Sequence, residues 1–201
     1  LAKSDGTKFG KTASGAIWLD ATMTSAYEFF QFWLNSDDAD MPKLLKVFSM
    51  KDRKEIERLI ETVNTNPGAR EAHRELAREM TTLIHGADMA KKVEEAAKAL
   101  FGQGEISELD LATLDSALSQ LPKTQVKKGD PFPTWVDLLA ATGVVDSKSA
   151  ARRIVKEGGA YLNNKKVESE DFTPSKSDLL HGKYLLLRKG KRDLAAVEVA
   201  G

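Results

Sequence analysis

The residues best suited to chemistry stand near the start of the chain. Lys8-Phe9-Gly10-Lys11-Thr12 sets two lysines three positions apart around a glycine, directly after the turn-forming run Ser4-Asp5-Gly6-Thr7. Lysine ammonium groups are compact charges that neutralise phosphate oxygens. A mobile loop carrying two of them can deliver charge as it develops on a departing pyrophosphate, which is when it lowers a barrier. The same spacing also suits a plain solvated turn. It does not suit a P-loop, because Gly6 precedes Gly10 by four positions where Gly-x-x-x-x-Gly-Lys-Ser/Thr needs five. An ordinary NTPase reading is disfavoured.

A second constellation lies far downstream. Lys148, Ser149, Arg152, Arg153 and Lys156 fall on adjacent turns of one short helical segment, and Lys165 and Lys166 follow it. The 201-residue chain has 30 basic and 30 acidic side chains, but residues 134–201 hold 12 basic against 9 acidic, leaving 18 against 21 in residues 1–133. The basic excess is therefore local, and a basic helix face with free amides at its N-terminus suits a polyanion. Ala151, Ile154 and Val155 fall on the opposite, core-facing side. A solvated helix that keeps the domain soluble is the plain alternative.

Other residues tempt less. Trp18, Trp33 and Trp135 sit in apolar patterns and are assigned to the core. His73, His85 and His181 lack metal-ligand spacing, so no metal site is expected. Asp37-Asp38-Ala39-Asp40 lacks calcium-loop spacing and reads as a helix-terminal cap. With no cysteine, disulfides and thiol chemistry are excluded. No apolar run approaches the ~20 residues needed to span a bilayer, and no basic-then-apolar leader opens the chain, so the cytoplasm is the expected compartment.

These groups need elements to position them. Aromatic residues at helical spacing predict a packed helix over 25–34, and Asp52 to Val63 predicts another. Asn66-Pro67 reads as the start of a third, with an inward stripe of Ala72, Leu76, Met80, Leu83 and Ile84 ending at Gly86. A fourth carries Ala90, Val93, Ala97 and Leu100 and ends at Gly102, and a shorter one follows Asp110 with Leu111, Leu114 and Leu118 inward. Residues 123–133, rich in charge, glycine and proline, read as a linker with a boundary near Pro131. Thr134 and Asp146-Ser147 cap two short helices, after which Ala160–Val167 and Lys183–Val199 are strand-like, with turns at Asn163-Asn164 and at Lys189.

The pentapeptide Lys8–Thr12 resembles the KMSKS signature of class I aminoacyl-tRNA synthetases in the spelling of bacterial tyrosyl enzymes. Ile17-Trp-Leu-Asp20, Thr24-Ser25 and Tyr27 through Asp40 extend that resemblance, with Ala13-Ser14 and Ala26 as small departures. Ser147-Lys-Ser-Ala-Ala-Arg-Arg153, running through Gly158-Gly159 to Tyr161-Leu-Asn163, resembles the RNA-binding domain named after ribosomal protein S-four, with Asn164 where glycine is usual. The resemblance implies a mainly α fold: a helical anticodon-binding bundle followed by a small α+β S-four-like domain. It divides the chain into residues 1–24 as signature loop and tail of a catalytic domain, 25–122 as the bundle, 123–133 as linker and 134–201 as the S-four-like domain. Lys8 and Lys11 would be catalytic, Lys11 and Thr12 would contact ATP with Mg expected beside it, and Lys148, Ser149, Arg152, Arg153, Lys156 and Lys165 would contact tRNA(Tyr).

No HIGH motif is present, and the opening Leu1–Gly6 reads as a strand end entering a loop. The expectation is an excised fragment that holds no cofactor and cannot activate tyrosine alone. The resemblance implies a homodimer formed through the catalytic domain, leaving this piece free to be a monomer. The rival reading is a non-catalytic S-four-type RNA-binding protein.

Overall fold

A computed structural model describes residues 1–12, 15–127 and 132–200. It divides into two compact units, Leu1–Glu94 and Glu95–Gly201. An α-rich part and a small α+β part are both present, as expected.

The first unit opens with a turn and a minimal antiparallel hairpin, β1 (Lys11–Thr12) paired with β2 (Gly15–Ala16). Helix α1 (Ala26–Leu34) starts where the Ser25 hydroxyl accepts the Glu28 N–H, and it buries Tyr27, Phe29, Phe30 and Trp33. Helix α2 (Met41–Phe48) has no counterpart in the sequence reading. Its buried residues are Met41, Leu44 and Leu45, too short a stripe to announce itself. Helix α3 (Arg53–Thr65) is capped by Asp52 and buries Leu59 and Val63.

The segment after α3 corrects one expectation. Pro67 opens a 3-10 turn, Pro67–Ala69, and helix α4 (Glu71–His85) begins only after Arg70, whose φ of 48° lies in the left-handed region. That conformation is costly for a side-chain-bearing residue. Its guanidinium offsets the cost by donating to the carbonyls of Leu34 (2.6 Å) and Ser36 (3.1 Å), one at the end of α1 and one just past it. Along α4, Ala72, Leu76 and Met80 are buried as read, but Leu83 and Ile84 are exposed. The inward face of the last turns is instead the i, i+4 row of Ala77, Thr81 and His85, whose imidazole meets the Phe29 ring edge-on at 5.1 Å.

Helix α5 (Ala87–Leu100) buries Ala90, Val93, Ala96, Ala99 and Leu100. Beyond it the second unit contains a 3-10 turn, Ile106–Glu108, and α6 (Leu111–Ser119), capped by Asp110. Leu114 and Leu118 are buried there, while Leu111 is exposed.

Lys123–Lys127, read as the start of a linker, is strand β3. It pairs in parallel with β7 (Asp193–Ala200) in a five-stranded sheet of order β3-β7-β6-β4-β5, formed with β4 (Ala160–Leu162), β5 (Lys165–Lys166) and β6 (Tyr184–Lys189). The other pairings are antiparallel. The strand is polar and its partner is distant, Lys123 pairing with Ala196 in a backbone ladder that no local pattern reports. Helix α6 lies in the same compact unit as the sheet. The boundary at Pro131 lies outside the described residues.

Helices α7 (Trp135–Ala141) and α8 (Lys148–Lys156) cover the sheet. Each has the cap read from sequence: Thr134 accepts the Asp137 N–H and Ser147 the Ala150 N–H, both at 3.2 Å. Trp135, Leu138, Ala151 and Val155 pack with Leu162, Leu185, Leu187 and Val197 in one core. The Trp135 indole N–H is satisfied by the Tyr161 carbonyl at 3.1 Å. No helix among the described residues is long and apolar enough to cross a membrane.

Candidate functional site

The cationic loop is a folded turn. Lys3 N–H donates to Thr7 O (2.8 Å) and Gly6 N–H to Lys3 O (3.1 Å), while the Asp5 carboxylate accepts both the N–H (2.9 Å) and the hydroxyl (2.6 Å) of Thr7. Those bonds hold the Asp5 pKa below its ordinary value. Ala2 and Lys8 form an antiparallel bridge, and Phe9 N–H donates to Leu1 O at 3.0 Å.

Three contacts seat this turn on the helices of its unit. Ser4 N–H donates to Asp40 Oδ1 at 2.7 Å, and Lys43 Nζ donates to Ala2 O at 2.8 Å. The Phe9 ring enters an aromatic cluster, 5.2 Å from Phe32, 5.4 Å from Trp33 and 5.4 Å from Phe48. With Phe9 inward, Lys8 is exposed. Gly10, at φ 81°, then turns the chain into β1, a conformation that glycine adopts without penalty. Lys11 and Thr12 are placed there by their backbone. Ala13 and Ser14 lie outside the described residues.

Asp37–Asp40, read as a cap, gives a more specific result. Asp40 stands at the N-terminus of α2, but its side chain makes no capping bond and serves the loop instead. Only the Asp-to-loop contact could not have been found from spacing, because the partners are 36 residues apart. Trp33 and Trp135 are buried as expected, whereas Trp18 is 50% exposed and is corrected to the surface. Its N–H donates to the buried Thr24 hydroxyl, so that segment is ordered by its backbone and not by its indole.

In the second unit, α8 presents Lys148, Ser149, Arg152, Arg153 and Lys156 to solvent, and Lys165 is exposed on β5. Several of these cations are already engaged. Lys148 Nζ lies 2.6 Å from Asp137, and Glu170 receives Arg152 at 3.7 Å and Lys156 at 3.3 Å. Lys148 and the Thr134 hydroxyl keep the Asp137 pKa below its ordinary value. The face is a charge lattice whose carboxylates a polyanion would have to displace.

The turn between β4 and β5 is made by two asparagines. Asn163 and Asn164 have φ of 47° and 66°, left-handed values that asparagine tolerates. Asn164 Nδ2 donates to Ala99 O (2.6 Å) and its Oδ1 accepts Arg188 Nε (3.2 Å), while the Arg188 guanidinium lies 3.8 Å from the Tyr161 ring centre. Asn163 bonds Asp178 O and the Leu186 N–H. These ties fix the hairpin beside the basic helix. Sequence reasoning found the turn but not its bonds.

Among the described residues, no group of three or more His, Asp or Glu side chains is placed to hold a metal ion. His73 is buried with its Nε2 3.1 Å from Asp38, yet burial and the nearby Arg70 charge lower its pKa against the pull of that carboxylate.

Residues 1–102 match the family model described as tRNA synthetases class I (W and Y), and residues 113–197 match the Tyrosine--tRNA ligase SYY-like C-terminal domain. The chain is 59% identical over 201 residues to the tyrosine–tRNA ligase of Streptomyces avermitilis, covering 100% of this chain and 47% of that protein. The Streptomyces coelicolor ligase is 56% identical over the same extent, again 100% and 47%. That of Thermobifida fusca is 52% identical over 198 residues, covering 98% and 46%. The chain thus spans about half the length of the curated relatives it matches, 47% in the first two.

Proposed function

This chain belongs to the class I tRNA synthetases of the W and Y type, and we propose that it supplies the ATP-phosphate loop and the tRNA grip of a tyrosine–tRNA ligase acting in the cytoplasm. The observation that carries the reading is the seated loop, in which a half-buried Phe9 packs on the aromatic cluster while Lys8 is exposed. In that ligase, tyrosine attacks the α-phosphorus of ATP and pyrophosphate departs. Lys8 and Lys11 stabilise the charge that grows on the departing oxygens, a contribution largest when the donors are held in place beforehand. Thr12 supports the loop beside them. Magnesium would accompany ATP through the nucleotide's own phosphates.

The tRNA(Tyr) contact falls to α8. Its exposed cations and N-terminal amides track phosphates, and the compact helix–helix–sheet core behind them supports an S-four-like reading of the second unit. A-form helices hide base edges from side chains, so such contacts read shape. Lys165 extends the surface onto β5. Homodimer formation follows the family pattern, through a catalytic domain. A purely RNA-binding protein would leave the seated cationic loop without a role.

The test is the salt dependence of tRNA(Tyr) binding by this chain. Contact with ~4 phosphates predicts that log K falls with log salt with a slope of about −3.6. Replacing Arg152 and Arg153 by alanine should flatten that slope by about two. An unchanged slope would place the contact elsewhere.

A further inference from the structure

We propose that Asp40 and Phe9 are positioning residues for the phosphate loop, fixing the direction in which Lys8 is presented; this rests on the reading that Lys8 and Lys11 meet the ATP phosphates. Asp40 is 6% exposed and stands at a helix N-terminus, where an aspartate ordinarily spends its oxygens on the first amides of the helix. Here it makes no such bond. It reaches back to the Ser4 N–H at 2.7 Å, inside the turn closed by Lys3 and Thr7. Lys43, one turn along α2, takes the Ala2 carbonyl on the same face.

Phe9 supplies the other end of the seat. Its ring contacts Phe32, Trp33 and Phe48, from α1 and α2, so the loop is held by a polar clamp before Lys8 and an aromatic anchor after it. Two anchors flanking one lysine restrict its swing in a way that neither does alone. A misplacement of ~1 Å at a reacting centre costs up to ~100-fold in rate. The seat therefore acts on the chemical step and leaves tyrosine binding alone.

Two measurements test this. In the 201-residue chain, amide hydrogen exchange should show Ser4 and Phe9 losing protection in Asp40→Ala and in Phe9→Ala, while α3 and α4 keep theirs. Asp40→Asn, which retains an acceptor oxygen, should restore most of the protection. In a chimera where this chain replaces the matching half of the Streptomyces avermitilis ligase, the two alanine variants should lower kcat for tyrosine-dependent pyrophosphate exchange about tenfold or more with the KM for tyrosine unchanged. Asp40→Asn should recover it. Unaltered protection at Ser4 and Phe9, or unaltered kcat in variants whose Lys8→Ala counterpart is inactive, would overturn the positioning role. If Lys8→Ala and Lys11→Ala themselves kept full exchange activity, the phosphate-loop reading would fall, whatever the amide exchange showed.

Discussion

The loop at residues 1–12 and the helix at residues 148–156 both carry exposed lysine or arginine, and they are built in opposite ways. The loop has no core of its own. It rests on two hydrogen bonds and one half-buried ring, and Lys8 is exposed beside them. Helix α8 is capped at its start, packed through Ala151 and Val155 on a sheet core, and its cations are partly tied to Asp137 and Glu170. In the proposed reading, the charge that meets a departing phosphate sits on a small turn held by a few directed contacts. The charge proposed to track a polyanion sits on a capped helix packed on a sheet core.

Breaking the scaffold should have the largest effect. Trp135→Ala removes a fully buried indole from the second core, and chemical denaturation should show a loss of about 3–5 kcal/mol. Phe9→Ala, also an aromatic truncation, should change global stability far less, because its ring seats a loop and does not fill that core. Similar losses for the two would erase the contrast.

The cap of the basic helix comes next. Ser147→Ala leaves the first turn of α8 with an unpaired amide and should cost about 1 kcal/mol in thermal unfolding. It should also weaken tRNA binding, since the same turn carries Lys148 and Ser149.

A pH prediction concerns the first unit. His73 is held neutral in the fold, with its pKa lowered chiefly by burial and then by Arg70. Below the ordinary imidazole value of about 6.5 the unfolded chain binds the extra proton first. Stability should therefore be fully present above that value and decline as the pH falls from it toward the lowered folded value. His85, lowered by burial, adds in the same direction. His73→Gln should flatten the decline in denaturant midpoints measured between pH 7 and pH 5.

The smallest effect is expected at Glu170. The ion pairs with Arg152 and Lys156 are solvent-accessible, so Glu170→Gln should shift stability by no more than about 1 kcal/mol. It should tighten tRNA binding, because RNA then displaces no carboxylate. Weaker binding would mean that Glu170 orients the two cations instead of competing for them.

Much of this arrangement was legible along the chain. Thr134, Ser147 and Asp110 announced their helices because capping is a local interaction between a side chain and an amide three residues on. The asparagine pair at 163–164 announced a hairpin for the same reason. What escaped was non-local. β3 is held by a distant strand, Asp40 by a loop 36 residues earlier, and Arg70 by the end of α1. Trp18 misled because its apolar neighbours, Leu19 and Met23, are exposed with it. Lys8 and Lys11 stood out through their spacing together with the family resemblance, but the contacts of Asp40 with Ser4 and of Phe9 with α1 and α2 did not.

The most direct test of this division of labour is a crossed measurement in the chimeric ligase, taking tyrosine-dependent pyrophosphate exchange and tRNA(Tyr) affinity for two double variants. Lys8→Ala with Lys11→Ala should abolish exchange and leave tRNA affinity within about twofold, while Arg152→Ala with Arg153→Ala should weaken tRNA at least tenfold and leave exchange intact. Loss of tRNA affinity in the lysine pair, or full exchange activity retained by it, would contradict the account.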